Sequence, residues 1–239
     1  MNYYQLLEIA CKDINVTFDE IKYNQFIQYM NLLREWNTKI NLTTLVEEEE
    51  IIKKHFIDSI KIFKYEKFKT FSKIIDVGTG AGFPGLPIKI IQPDMDVTLM
   101  DSLNKRVKFL DDVIDKADLK NVKTVHSRAE DGGNNPLYRE KFDCCVSRAV
   151  ANMAVLSEYC LPFVKIDGYF IALKGPAVED ELKVSEKAID ILGGVVESIL
   201  PITVEETDLN HNLVIIKKIR KTPKNYPRDA GIVRKNPIK

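Results

Sequence analysis

The residues most able to do chemistry in this chain lie together in Asp76-Val77-Gly78-Thr79-Gly80-Ala81-Gly82-Phe83-Pro84-Gly85. An apolar β-type run, Lys73 to Val77, leads into them, and an amphipathic segment, Leu86 to Ile91, follows Pro84. Strand, glycine-rich bend and helix start, in that order, form a nucleotide-binding turn. The glycines allow a sharp bend and a close approach of backbone to ligand without Cβ interference. Free N–H groups at the helix start are expected to add hydrogen bonds and a partial positive charge.

Two registers fit this bend. Gly80-x-Gly82-x-x-Gly85 is the dinucleotide spacing, which would suit an NAD(P)-dependent oxidoreductase. Gly78-x-Gly80-x-Gly82 preceded by Asp76 is the spacing of an S-adenosylmethionine (SAM) loop. The acid favours the second. A carboxylate suits a ligand with an ammonium and a sulfonium, whereas it repels a pyrophosphate.

In an open α/β sheet, ligands bind beyond the C-terminal strand ends, so those ends supply the other candidates. Asp101 ends the second strand, nineteen residues after Gly82, where it can accept both ribose hydroxyls or cap the next helix. Arg128, Ala129 and Glu130 end the third; Ala129 and Glu130 can border an adenine, or Glu130 can be a helix-start acid. Phe83 either packs against the ligand or plugs the core. The fourth strand ends in Ser147-Arg148-Ala149-Val150. No Asn/Asp-Pro-Pro-aromatic sequence stands there for exocyclic amine methylation, and Cys144 and Cys145 lie within the strand, where apolar packing is expected. The acceptor should therefore own a lone pair that needs no proton removed, as guanine N7 does. Arg148 and Arg128 are the candidate catalytic residues. Arg148 could hold a phosphate, the ligand's carboxylate or guanine O6, or form a structural ion pair.

These residues need a scaffold. From Ser72 onward, strand patterns at 73–77, 97–101, 122–126, 142–147, 168–174, 195–201 and 212–219 alternate with helical ones near 85–91, 103–116, 152–160 and 178–192. Such alternation implies an α/β fold with a mostly parallel seven-stranded sheet. The last two strands lack an intervening helix and should form a hairpin, making the final strand antiparallel. Residues 1–65 read as a helical N-terminal extension, 66–219 as the ligand-binding domain and 220–239 as a basic C-terminal tail packed on it. Thr17 with Glu20 has capping-box spacing, and Trp36 to Thr43 reads as a break before a second helix beginning near Glu47. Prolines at 223, 227 and 237 suggest a tail that drapes over the surface without helix.

Apolar residues make up 45% and charged residues 29%, as in ordinary soluble proteins, and no apolar run approaches the ~20 residues that span a bilayer. Without a signal-peptide pattern or disulfide spacing among its four cysteines, the chain is expected to be cytoplasmic, reduced and free of membrane. His55, His126 and His211 are too scattered for a metal site, and none is expected. Net charge is zero, yet residues 217–239 hold nine Lys/Arg against one acid, which can give a basic face.

Read together, these motifs resemble the glucose-inhibited division protein B family of bacterial 16S rRNA guanine-N7 methyltransferases. Beyond the glycine loop, the resemblance rests on Trp36-Asn37, Ile40-Asn41-Leu42-Thr43, His55 with Asp58-Ser59, Asp101 with Lys105-Arg106, Arg128-Ala129-Glu130, Ser147-Arg148-Ala149, Lys174-Gly175, Thr222-Pro223, Tyr226-Pro227-Arg228 and Gly231. It implies a class I SAM-dependent methyltransferase fold with a helical N-terminal extension. It also implies methylation of guanine N7 in a decoding-region loop of 16S rRNA, on naked RNA or on a small ribosomal subunit. By matching positions, it places SAM contacts at Gly78, Phe83, Ala129, Glu130 and Arg148; Gly80 and Asp101 join them from the loop and strand-end readings. Asp131 to Pro136 departs from the usual pattern as a longer loop. The working expectation is a monomer. An RNA-binding assembly factor on a methyltransferase scaffold is the rival from another class.

Overall fold

The computed structural model describes residues 2–148 and 151–238. Ala149 and Val150, at the end of the fourth strand, lie outside the described residues, as do Met1 and Lys239.

Seven strands form one sheet: β1 (Lys73–Val77), β2 (Asp96–Asp101), β3 (Val122–His126), β4 (Phe142–Arg148), β5 (Val164–Lys174), β6 (Gly194–Thr203) and β7 (Asn210–Lys218). Their order is β3-β2-β1-β4-β5-β7-β6. The four pairings that run outward from β1 to β3 and to β5 are parallel, and β7 inserts antiparallel to both β5 and β6. The chain runs outward from β1 to β3 and returns to β4 on the other side of β1. That reversal opens a crevice beyond the C-terminal ends of β1, β2 and β4.

Side chains alternate across the sheet, and the alternation divides the strand residues between two cores. Ile74, Leu99, Cys144, Val146, Ile171 and Ile215 join the core covered by the N-terminal helices and by α5 (Gly85–Ile91) and α6 (Asn104–Lys116). Ile75, Met100, Cys145, Phe170 and Ile216 join the core under α8 (Met153–Cys160) and α9 (Val178–Ile191). Both faces are covered, so the central strands read as unbroken apolar runs. The adjacent cysteines thus point into opposite cores.

The N-terminal helices are α1 (Tyr3–Asp13) and α2 (Glu20–Asn37), followed by α3 (Glu48–Ile51), a π-helical turn Ile52–Ile57, and α4 (Asp58–Ile60). Helix α2 is capped by Asp19, whose side chain accepts from Lys22 N at 2.9 Å; Thr17 does not cap it. A carboxylate at that position gains from the helix dipole as well as from the hydrogen bond. Asn37 ends α2 and orders the break after it, its Oδ1 accepting from Leu42 N and Thr43 N at 2.8 and 3.0 Å.

Two short helices were not legible in the sequence: α7 (Ala129–Asn134), which carries part of the long loop, and α10 (Ala230–Lys235) in the proline-bearing tail. The prolines precede and follow α10, so its N–H ladder is undisturbed. Nor does the tail merely drape. The Arg139 guanidinium donates to Thr222 O and Tyr226 O at 2.9 and 2.8 Å, and Arg228 forms a two-pronged pair with the fully buried Glu158 at 2.9 and 2.7 Å. Four of the nine cations in residues 217–239 are engaged within the protein: Lys217 with Asp167, Lys218 with Leu161 O and Thr222, Arg220 with Asp190 and Arg228 with Glu158.

The glycines of the loop serve different ends. A Cβ on Gly82 (φ +98) would lie 2.4 Å from Leu86 Cδ1 and 2.8 Å from the Tyr29 hydroxyl, whereas one on Gly80 (φ +61) would meet nothing nearer than Gly78 O at 4.0 Å. We therefore expect Gly80→Ala to cost about 1–2 kcal/mol of backbone strain. Gly82→Ala should cost that plus about 1–3 kcal/mol of overpacking. Urea denaturation of the two variants measures the difference.

Candidate active site

Asp76 organises the loop. Its side chain is fully buried, and Oδ2 accepts from Thr79 Oγ1 at 2.7 Å and Gly85 N at 2.8 Å. Oδ1 has no hydrogen-bond partner among the described residues. Burial pushes this carboxyl up to about 7, while Thr79, the Gly85 amide and the Arg148 charge pull the other way.

The loop's N–H groups, expected to be free for a ligand, are largely taken. Gly78 N and Thr79 N donate to Met100 O at 2.9 and 3.1 Å, Gly82 N and Phe83 N donate to Thr79 O, and Leu86 N donates to Gly82 O. Gly80 N donates to Asp101 Oδ2 at 2.9 Å. A loop that satisfies its own donors is a poor cradle for a pyrophosphate, and the short helix α5 begins with its first amide bonded to Asp76. What remains is a backbone that a ligand can approach closely, flanked by acids. That matches a cationic adenosyl donor and not the dinucleotide register.

Asp101 is buried and does two jobs at once: Oδ1 accepts from Leu103 N at 2.9 Å, as a turn before α6, and Oδ2 holds the glycine loop. Arg106 approaches Oδ2 at 3.4 Å. The remaining lone pairs of this carboxylate suit ribose hydroxyls. Gly78, Asp101, Ala129 and Glu130 line one cleft of about 300 Å³, with exposed Arg128 at its rim. The facing wall comes from Tyr159 of α8 and Arg234 of α10, neither of which sequence reasoning identified. No motif marks either residue; a helix after the last strand can meet this cleft only in the folded chain.

Gly80, Phe83 and Arg148 do not line that cleft; Gly80 meets it only through its bond to Asp101. Strand parity turns Arg148 toward the N-terminal helices, together with Cys144 and Val146. Its guanidinium lies 4.7 Å from the Phe83 ring centroid. NH1 donates to Asp58 Oδ2 at 3.0 Å and NH2 to His55 Nδ1 at 3.1 Å. Phe83 is 5% exposed and stacks on His55 at 4.4 Å, with Tyr29 at 5.6 Å. The Tyr29 hydroxyl, on α2, donates to Ala81 O within the glycine loop. Asp58, 1% exposed, also accepts from His211 Nδ1 at 2.7 Å across its other oxygen. The π-helical turn brings His55 and Asp58 to the same guanidinium, a geometry often found at functional sites.

The hydrogen bonds decide the imidazole states. Arginine can only donate, so His55 Nδ1 accepts and Nε2 carries the proton, donating to Thr43 Oγ1 at 2.7 Å. Burial and the neighbouring Arg148 charge hold His55 down to about 3. His211 is shifted the opposite way, because the Asp58 carboxylate favours its charged form. Sequence spacing leaves these two histidines far apart; the fold joins His211 to Asp58 directly and His55 to Arg148, the partner of the same carboxylate. Among the described residues no cluster of three or more potential metal ligands occurs, and no helix is long and apolar enough to cross a membrane.

A sheet of this order, with an acid-led glycine loop at the reversal and a second acid ending β2, defines a class I SAM-dependent methyltransferase. The fold is shared with MtNAS in complex with MTA and tNA (TM-score 0.55, 13% identity, covering 80% of this chain and 71% of that one). It is shared also with the YcgJ protein of Bacillus subtilis (TM-score 0.52, 14% identity, covering 70% and 100%). Residues 22–214 match the family described as GidB, rRNA small subunit methyltransferase G, and the chain belongs to that family. It is similar to the ribosomal RNA small subunit methyltransferase G of Clostridium novyi strain NT, 57% identical over 236 residues, covering 99% of this chain and 97% of that protein. Its likeness to the protein of the same name from Clostridium perfringens strain 13 is 58% over 239 residues, covering both chains completely. The cofactor is SAM.

Two outcomes follow from the buried cluster. Arg148→Ala leaves the Asp58 carboxylate buried without its guanidinium and should lower stability by about 3–5 kcal/mol in chemical denaturation. Nitrogen NMR should show His55 as the neutral Nε2–H form throughout pH 5–8, and His211 titrating above its ordinary 6.5. Because the folded pKa of His211 is raised, its stabilisation is complete below pH 6.5 and is lost as pH rises through the folded value. His211→Gln should flatten that part of the stability profile.

Proposed function

We propose that this chain methylates N7 of a guanine in a decoding-region loop of 16S rRNA. The coarser reading, SAM-dependent methylation of small-subunit rRNA, is carried by the relatives' names over the full chain length. The observation that favours N7 is the chemistry at the end of β4. Cys144 and Cys145 are fully buried in opposite cores with thiols pushed well above their ordinary range by burial, so neither can serve as a carbon nucleophile's partner. The Ser147 hydroxyl, also fully buried, donates to Val77 O at 2.8 Å. Arg148 is a permanent cation already paired with Asp58. A nucleophile whose lone pair is available without deprotonation needs none of these as a base.

Bound in the cleft, the cofactor supplies a methyl on a sulfonium. In this reading Gly78 and Gly80 give it close backbone approach, Asp101 takes the ribose, and Ala129 and Glu130 border the base. Phe83 and Arg148 act from behind the loop: the guanidinium over the Phe83 ring stiffens the wall that orients donor and acceptor. Arg128 at the rim, with exposed Lys221, Lys224 and Lys235 of the tail, would meet RNA phosphates, so affinity should fall steeply with salt. The target is presented as a splayed base, in naked RNA or in a small-subunit particle. The enzyme acts in the cytoplasm as a monomer.

Incubation with methyl-labelled SAM and either 16S rRNA or small subunits from cells lacking this activity should label one guanine, with the strand scission under reduction and aniline that marks N7-methylguanine. Label on an exocyclic amine or a ribose would refute the N7 assignment. Absence of turnover on every rRNA substrate would favour an assembly factor.

A further inference from the structure

The far wall of the cleft is built by the segment after the last strand, and it is built firmly. Arg228 is fixed on Glu158 through its backbone N–H and both ends of its guanidinium, at 2.8, 2.9 and 2.7 Å. Asn134 Nδ2 bridges Glu130 O and Pro227 O, each at 3.1 Å, tying the tail to the start of α7. Val233 is fully buried in the core beneath α8 and α9. These anchors leave α10 with Arg234 lining the same cleft as the residues that end β3. Arg234 is exposed and makes no ion pair among the described residues.

Two further groups that line the cleft are left without a well-formed hydrogen bond. The Tyr159 side chain is 5% exposed and lines the cleft; its hydroxyl makes no hydrogen bond of good geometry among the described residues, although Arg234 comes near it. A buried hydroxyl left unpaired carries a desolvation penalty. Glu130, 8% exposed, uses its backbone oxygen for Asn134, but its carboxylate makes no hydrogen bond. All three residues line the one cleft; burial raises the Tyr159 phenol, the neighbouring Arg234 opposes that shift and the Glu130 charge reinforces it. An arginine donor, a hydroxyl and a carboxylate match the mixed edge of an adenine, with its amino donor and ring-nitrogen acceptors.

We infer that α10 is part of the cofactor site, and that Arg234 and Tyr159 bind the adenine of SAM. The inference rests on the reading that the adenosyl group lies along Asp101, Ala129 and Glu130. Arg234 donates to a ring nitrogen, and the Tyr159 hydroxyl makes the second polar contact. The tail is then a cofactor-binding element as well as a basic segment.

The test is calorimetric binding of S-adenosylhomocysteine and of 5′-methylthioadenosine, which lacks the amino-acid end, to the full chain and to its Arg234→Ala, Arg234→Lys, Tyr159→Phe and Asp101→Asn variants. Arg234→Ala should weaken both ligands by the same factor, about tenfold, with Arg234→Lys recovering part of it. Tyr159→Phe should weaken both about fivefold while leaving the ligand-free melting temperature equal or higher, since an unpaired buried hydroxyl has been removed. A purely structural role for Tyr159 predicts unchanged affinity. If Asp101→Asn weakens binding and Arg234→Ala does not, the inference about α10 fails and the cofactor reading stands. If neither matters, the cofactor reading fails and takes the inference with it. A loss confined to S-adenosylhomocysteine would place Arg234 at the amino-acid end, and an unchanged ligand affinity with weakened rRNA binding would make it a phosphate contact; either overturns the assignment.

Discussion

The structure depends on a carboxylate kept out of water. Asp76 is fully buried, yet its Oδ2 holds the Thr79 hydroxyl and the first amide of α5, and those two bonds fold the glycine loop back on its own strand. Opening the loop would leave these buried polar groups without partners, so it has little freedom to open. Its position then sets that of Asp101, through the bond from Gly80 N, and so the direction in which α6 leaves the sheet. One residue thereby couples the ends of β1 and β2 to the start of α6.

The N-terminal helices complete what the sheet begins. Tyr29 clamps the glycine loop at Ala81, and Phe83 is enclosed by Tyr29, Phe56 and His55. Behind it, Arg148 of β4, Asp58 after the π-helical turn and His211 of β7 form a chain of charge that joins elements distant in sequence. Such buried pairs add little net stability, but breaking one is expensive. Their effect is to specify one arrangement of helices over the loop. The same logic holds on the opposite face, where Glu158 and Arg228 fix the C-terminal segment.

Several motif residues thus have structural work beside any chemical one. Trp36 donates to Asp112 at 2.8 Å and ties α2 to α6, and Asn37 shapes the turn that delivers Thr43 to His55. The Lys174 ammonium, at the end of β5, holds Ala151 O and Glu181 at 2.9 and 2.8 Å. A signature residue in this chain is therefore as often a brace for the pocket as a wall of it.

Local chemistry made the strands, most helices and the acid-led loop readable, because period-two and period-3.6 patterns and glycine spacing are properties of neighbouring residues. The ends of β1 and β2 were legible for that reason: Asp76, Gly78, Gly80 and Asp101 sit where the pattern puts them. The sequence did not reveal that Arg148 turns away from the cleft, that the Arg148–Asp58 pair gathers His55 and His211, or that Tyr159 and Arg234 share a cleft with Glu130. Those outcomes depend on strand parity, on β7 inserting beside β5, and on an ion pair, Arg228 with Glu158, between residues seventy positions apart. Pairing across such distances is decided only when burial makes an unpartnered charge costly, and that selection exists only in the folded chain.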